Sequence, residues 1–383
     1  MKFLNLVFKS ARRNLRRTLL TVFSVAIAVF LFAALRAVLD GFHAAVEASS
    51  STRIVTIRST SLIFQMPTTH AETVRGVPGV RDVTWANWFG GIYKDPSDFF
   101  GQIAIEPESY LRMFPEFLLS PEEKRAFLED RTGCIVGDGL AKRFGWKVGD
   151  TFVLKVGIPT YGREDFSFTI RGIYRAGSSA IDNQTMFFHW NYADQRSFEK
   201  GRVGWLVSEI ANPDQAAQVA GAIDKKFENT PYETKTDTEK AFQTSFASMF
   251  GNLDLLLGSI AIAVVITTLF VAGNTMAMSV RERTTEIAVM RTLGYPSQII
   301  FFLIAGEGLL MSIVGGILGA GVALIVVSPT VFAGNALLPP FGVSGRNVVV
   351  GVLLSGLIGV LAGIIPAAMA SRLKIVDALR RAA

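Results

Sequence analysis

The sequence is poor in the residues most often used for chemistry. Among 383 residues there is one cysteine, Cys134, and there are three histidines, His43, His70 and His189. A lone cysteine forms no internal disulfide, so any folded domain here must be held by its own core. The histidines are scattered, and no His or Cys pair has metal-ligand spacing. There is no Gly-x-Ser-x-Gly nucleophile elbow and no Gly-x-x-x-x-Gly-Lys-[Ser/Thr] phosphate loop. Acidic pairs such as Glu122/Glu123 and Glu129/Asp130 lie in a charged stretch and read as solvated surface. The chain is therefore expected to be non-catalytic, with no metal, no cofactor and no nucleotide hydrolysis of its own. Charge is scarce as well. Only 18% of residues are charged, half are hydrophobic, and the mean hydropathy is +0.37, too apolar for an ordinary soluble domain.

The apolar residues come in four blocks, Thr18–Leu39, Leu255–Met278, Ile299–Val327 and Val348–Ala370. Each reaches the ~20 residues that a helix needs to cross ~30 Å of hydrocarbon, which predicts four transmembrane helices. The interval from Asp40 to Asn252 has soluble composition. The first block could be taken for a cleaved signal peptide. Its basic leader is long, however, and its apolar run exceeds the usual ~7–15 residues, so a retained helix is expected.

Positive charge sets the direction. Lys2, Lys9, Arg12, Arg13, Arg16 and Arg17 precede the first span, Arg281, Arg283 and Arg291 lie between spans two and three, and Arg372, Lys374, Arg380 and Arg381 follow the fourth. All three groups belong on the cytoplasmic face, whereas Ser328–Asn347 holds Arg346 alone and belongs outside. Both termini are then cytoplasmic, and the large domain is extracytoplasmic. The isoelectric point near 9.4 is explained by contact with anionic membrane lipid. Nothing else in the sequence supports nucleic acid as a partner.

The expected fold class is an α-helical membrane protein with a large α+β extracytoplasmic domain between helices 1 and 2. Arg53–Arg58 and Phe166–Arg171 alternate polar and apolar residues as half-buried strands do; Val80–Trp85 follows a Pro78-Gly79 turn, and Thr151–Val156 reads as another strand. Short helices are expected at Ser109–Phe114, Gly139–Phe144 and Pro213–Phe227, the last with Ala216, Val219, Ile223 and Phe227 on one face. Two lobes are expected, residues 53–105 with 205–230, and residues 106–200. The layout runs as an interfacial elbow helix (1–17, with Leu4, Val7 or Phe8, Ala11 and Leu15 on its apolar face), first span (18–39), domain with stalks (40–252) and second span (253–280). A cytoplasmic segment (281–297), third span (298–327), outer loop (328–347), fourth span (348–371) and tail (372–383) complete it.

Within the membrane, Gly315-x-x-x-Gly319, Ser355-x-x-x-Gly359 and Gly359-x-x-x-Gly363 allow close helix approach, although glycine-rich runs also occur on loosely packed spans. Glu307 lies inside span three, where a carboxylate is expensive. It is expected to serve structure or coupling, pairing with Asn274 or with a basic residue near the cytoplasmic face. A water-filled crevice, snorkelling or a substrate contact are the other accounts. Phe242, Phe246, Met249 and Leu253 recur at helical spacing and mark a stalk into span two, which is expected to run on into the cytoplasmic segment without a break; Asp40–Ser50 has helix-compatible composition. These stretches are either mechanical stalks or simple connectors with one packed face.

A short helix from about Thr285 would align Ile287, Met290 and Leu293, with Glu286 in its first turn, Arg291 in its last, and Gly294 and Pro296 as its stop. It is either an interfacial helix that merely turns the chain or a docking element for a cytosolic partner. Here the sequence resembles the coupling region of the FtsX-like permease family, the membrane subunits of ABC transporters of the macrolide-efflux, lipoprotein-releasing and cell-division type. The matching residues are Ser279-Val280-Arg281-Glu282-Arg283 and Glu286–Gly294, continuing through Phe302-Leu303 to Glu307 and Gly308. Pro366–Leu373 with Ala378-Leu379-Arg380, Ala11–Thr18, and Val136–Ala141 through Gly149-Asp150 are also similar to the family, the last to its MacB-like periplasmic core.

The resemblance implies a bacterial inner-membrane dimer of permeases, each holding one cytosolic ABC ATPase, with ATP and Mg on that partner. By position, Ile287, Val289, Met290 and Leu293 would enter the ATPase groove, with Glu282, Arg283, Glu286 and Arg291 at its rim and Gly294 as the stop. With only a short basic leader before span one, the ATPase is expected to be a separate polypeptide. The implied mechanism is mechanotransmission, which drives efflux through a periplasmic adaptor and outer-membrane channel, or extraction of lipoprotein or lipid. The alternatives are a transmembrane regulator signalling ATPase cycling to an extracytoplasmic enzyme, and an anchored binding protein without an ATPase.

Overall fold

A computed structural model describes residues 15–372 apart from 62, 97, 158, 163, 178–181, 249–250 and 328–340. The elbow helix expected from Leu4, Val7, Phe8 and Ala11, the tail beyond Arg372, most of the outer loop, Met249 and the side chain of Phe246 lie outside the described residues. The described residues form two compact units, one from residues 15–39, 252–327 and 342–372, the other built on Asp40–Gly251 with Phe341. Helix α1 (Leu15–Glu47) begins in the first unit and ends in the second.

The inserted domain has strands β1 (Arg53–Arg58), β2 (Met66–Pro67), β3 (Val80–Trp88), β4 (Gly101–Ile105), β5 (Phe117–Leu118) and β6 (Gly133–Gly137). It continues with β7 (Thr151–Leu154), β8 (Phe166–Ala176), β9 (Thr185–His189), β10 (Arg202–Val203), β11 (Trp205–Ile210) and β12 (Thr234–Thr238). Its helices are α2 (Thr69–Arg75), α3 (Pro107–Met113), α4 (Pro121–Glu129), α5 (Asp138–Phe144), α6 (Trp190–Asp194), α7 (Ala216–Phe227) and α8 (Glu239–Ser248). Ten strands make one mixed sheet in the order β12-β1-β11-β3-β4-β9-β6-β8-β5, with β7 on β8. The two segments expected as lobes occupy the two halves of this sheet, joined where β4 runs parallel to β9.

Alternation explains the core. In β8, Phe166, Phe168 and Ile170 bury against Phe89, Phe152 and Phe188, while the intervening Ser167 points to solvent. Helix α7 lays Ala216, Val219, Ile223 and Phe227 onto Ile54, Val83 and Leu206 of the other half. The acidic surface has local tasks. Glu123 closes a capping box with Ser120 at the start of α4, and Asp130 pairs with Arg171 at 2.7 Å.

In the membrane unit, α9 (Leu253–Glu282), α10 (Thr284–Thr292), α11 (Ser297–Val326) and α12 (Gly345–Ser371) follow. Together with α1, the three long ones make four described helices long and apolar enough to cross a membrane. The glycines set how closely these helices approach. A Cβ at Gly315 would lie 2.7 Å from the Val22 carbonyl oxygen, and one at Gly319 would run into that of Ala26, so α1 lies directly against α11. A Cβ at Gly359 would stand 2.8 Å from the Gly308 oxygen and from Ser312 Cβ, and one at Gly363 would stand 3.4 Å from Ala305 Cα. Ser355, fully buried, fills the space beside Gly316. Ala272 and Met276 seat α9 on Ala362 of α12.

Two expectations are corrected here. The stalk into span two is interrupted, because Gly251 adopts φ +85°, a left-handed conformation that favours glycine, and the Asn252 side chain caps α9 by accepting from Leu255 N at 3.0 Å. Span two does not run unbroken into the next segment either. It ends at Glu282, and Arg283 (φ −104°, ψ 16°) separates it from α10.

Candidate coupling site between the second and third spans

Helix α10 is short, so it is held mainly by its ends and its inner face. At its C-terminus Gly294 takes φ +88°, with Gly294 N donating to Arg291 O at 3.1 Å and Tyr295 N to Met290 O at 3.1 Å. Arg291 reaches across this turn to Ser297 Oγ at 2.9 Å and ties α10 to the start of α11. On the inner face, Ile287 is 3% exposed among Val280, Ile300, Ile304, Ala367 and Ala370, with Met290 half-buried beside it. The outer face is different. Leu293 is 72% exposed and Val289 47% exposed.

This corrects the site expected from spacing. Ile287 does not reach the outer surface, because the stripe it shares with Met290 turns toward the spans of its own chain. Arg283 turns inward too, donating from Nη1 to Glu307 Oε2 at 2.8 Å and from Nε to Glu286 Oε2 at 3.3 Å. Glu307 is 4% exposed, and its partner is this arginine rather than Asn274, which faces outward on α9. One guanidinium thus joins α10 to the middle of span three. Glu282 is engaged from the other side by Arg17 of α1 at 2.5 Å. The end of α9 and the start of α10 are therefore tied by ion pairs to both the first and third spans; the Arg283–Glu307 pair is the buried one, and its charges would be costly to separate. Spacing alone did not reveal the Arg17–Glu282 link, since its partners stand 265 residues apart.

His70, His189 and Cys134 of the inserted domain are occupied structurally. His189 Nε2 lies 2.7 Å from the Phe127 carbonyl oxygen, His70 stacks on Phe227 at 4.2 Å, and Cys134 is buried, which pushes its thiol pKa well up.

Four membrane helices, an α/β domain inserted after the first, and a short helix with an outward apolar tip between the second and third define a membrane protein of inserted-domain type. Comparison with known proteins is specific. Residues 18–226 match the MacB-like periplasmic core domain, and residues 258–375 match the FtsX-like permease C-terminal region. The chain belongs to this family of permeases. It is similar to the uncharacterized ABC transporter permease MJ1507 of Methanocaldococcus jannaschii, at 22% identity over 97% of this chain and 96% of that protein. It is also similar to the macrolide export ATP-binding/permease protein MacB of Psychrobacter arcticus, at 27% identity over 53% of this chain but only 31% of that protein's length. The crystal structure of the periplasmic region of MacB from Actinobacillus actinomycetemcomitans aligns with a TM-score of 0.38 and 8% identity, covering 51% of this chain and 92% of that one.

Proposed function

We propose that the chain is the permease subunit of an ABC transporter, coupling ATP hydrolysis by a separate cytosolic ATPase to conformational change in its extracytoplasmic domain. The work so driven is efflux or the extraction of lipoprotein or lipid, with a periplasmic adaptor and outer-membrane channel as further partners in the efflux case. The permease contributes no catalytic group; ATP and Mg belong to the ATPase. In this reading both termini and α10 are cytoplasmic, following Arg281, Arg283 and Arg291 against the single Arg346 of the outer loop.

The carrying observation is the two-sidedness of α10. Val289 and Leu293 face outward, while Ile287 and the Arg283–Glu307 pair bind the helix into the spans. A force applied to the tip is passed to the bundle through buried contacts, which is what a coupling helix requires. The reading includes a second permease copy, and it is supported by α9, where Asn274 sits on an outward face with Phe270 and Val271. An amide facing hydrocarbon is costly unless another chain covers it. The test is co-purification of the ATPase with Leu293→Glu, which is expected to lose the partner without loss of folded permease.

A further inference from the structure

Both chain connections enter the inserted domain at one place. Helix α1 ends at Glu47 and the chain reaches β1 at Arg53; β12 ends at Thr238 and α8 starts at Glu239, antiparallel pairing of β1 with β12 having brought the two points together. The Glu239 carboxylate accepts from Ser50 N at 3.0 Å and from Arg53 Nε at 2.7 Å, so one side chain bonds both connections. Arg53 is 6% exposed; besides a second, longer bond to Glu239 Oε1 at 3.4 Å, it reaches into the body of the domain, donating to Met113 O at 2.8 Å and to Glu116 Oε1 at 2.6 Å. Its guanidinium lies 4.2 Å over the Phe114 ring, and Phe242 of α8 packs on the same cluster as Phe114 and Tyr110. Burial works against the charge of Arg53, but hydrogen bonds and Coulombic attraction from Glu116 and Glu239 outweigh it and raise its pKa. A charge this enclosed, bound at both ends of a planar fork, resists small displacements.

We propose that the Arg53–Glu239 pair is the clamp that fastens both stalk connections to the sheet, so that movement of either is delivered to the domain as one body. Arg53 and Glu239 are positioning residues in this role, and Glu116 serves only to anchor Arg53 in the fold. The inference rests on the permease reading, and it separates two carboxylates that hold the same guanidinium. Both pair with the same guanidinium at 2.6–2.7 Å, yet only Glu239 belongs to a stalk.

The experiment uses the permease–ATPase complex in lipid nanodiscs, spin-labelled at Ser59→Cys and Gly345→Cys, both exposed positions, while the buried Cys134 stays unlabelled. The distance distribution is compared without nucleotide and with ATP plus vanadate, alongside melting temperature and ATPase rate. Glu239→Gln and Glu116→Gln are both expected to lower the melting temperature, Glu239→Gln the more because Glu239 also accepts from Ser50 N. Only Glu239→Gln should lose the nucleotide-dependent shift in distance, with ATPase binding retained, and Arg53→Lys should keep part of that shift. A full shift in Glu239→Gln, or equal loss in Glu116→Gln, overturns the clamp. Absence of any shift in the unsubstituted complex, with ATPase bound and turning over, overturns mechanotransmission itself and the clamp with it.

Discussion

Leu293 is where the coupling assignment meets a number. Fully burying a leucine or valine side chain is worth ~1.5–3 kcal/mol. Leu293 is 72% exposed and Val289 47% exposed, so an ATPase groove covering both has most of one side chain and half of another to gain from. Truncating both to alanine, which keeps each Cβ, should remove about 2 kcal/mol of binding, or roughly 30-fold in affinity. Leu293→Glu also forces a carboxylate into an apolar groove, and the added penalty of ~2 kcal/mol or more takes the loss beyond about 100-fold. The contrast is Ile287→Ala. At 3% exposure its truncation leaves a cavity among Val280, Ile300 and Ile304, costing the fold ~2–5 kcal/mol. Two measurements separate them, ATPase affinity by titration into nanodiscs and permease melting by scanning fluorimetry. Leu293→Glu should lose affinity at unchanged melting temperature, and Ile287→Ala should lose melting temperature first. Wild-type ATPase affinity in a well-folded Leu293→Glu permease would refute the docking face. Glu286→Arg makes a poorer probe, because Glu286 already accepts from Arg283 at 3.3 Å.

Further outcomes follow from the same contacts. Glu307→Gln leaves Arg283 with Glu286 as its remaining carboxylate and should lower stability by ~1–3 kcal/mol, while the double replacement Arg283→Met with Glu307→Leu should cost less than the sum of the single changes; a double mutant as damaged as that sum would show the pair to be uncoupled. Gly319→Ala should destabilise the α1–α11 packing by ~1–3 kcal/mol, whereas Gly321→Ala, with open space at its Cβ, should be neutral in the same melting assay. In the domain, burial holds the pKa of His70 below its ordinary 6.5, with Arg202 pushing the same way, and burial lowers His189 as well. The unfolded chain then takes up protons that the folded chain refuses, so stability is full above about pH 6.5 and falls as pH descends toward the lowered folded-state values. His70→Phe keeps the stack on Phe227 and removes one of these protons, so melting temperature should decline less steeply from pH 7 to about 5; an unchanged slope would deny His70 this role.

Hydropathy made much of this protein legible, since an apolar run of ~20 residues has few alternatives to spanning a bilayer. The four apolar blocks coincide with α1, α9, α11 and α12, and Ala216, Val219, Ile223 and Phe227 share the buried face of α7. Local rules were enough for the strand Arg53–Arg58, for Phe166–Arg171 within the longer strand Phe166–Ala176, and for the stop at Gly294, because alternation and backbone freedom are properties of neighbours in sequence. What periodicity cannot supply is the direction of a stripe. Ile287, Met290 and Leu293 recur correctly for a helix face, but only the surrounding spans decide that Ile287 and Met290 point inward while Leu293 points away. Ion pairs escape local reading even more completely. Arg53 finds Glu116 at a separation of 63 residues and Glu239 at 186, through strand pairings and a cross-sheet cluster that exist only in the folded chain. The sequence by itself determined a four-span protein with a domain inserted after the first span and a short amphipathic helix between the second and third. Tertiary packing decided which residues of that helix face outward and which charges tie its ends to the neighbouring spans, because those outcomes depend on neighbours that are distant along the chain.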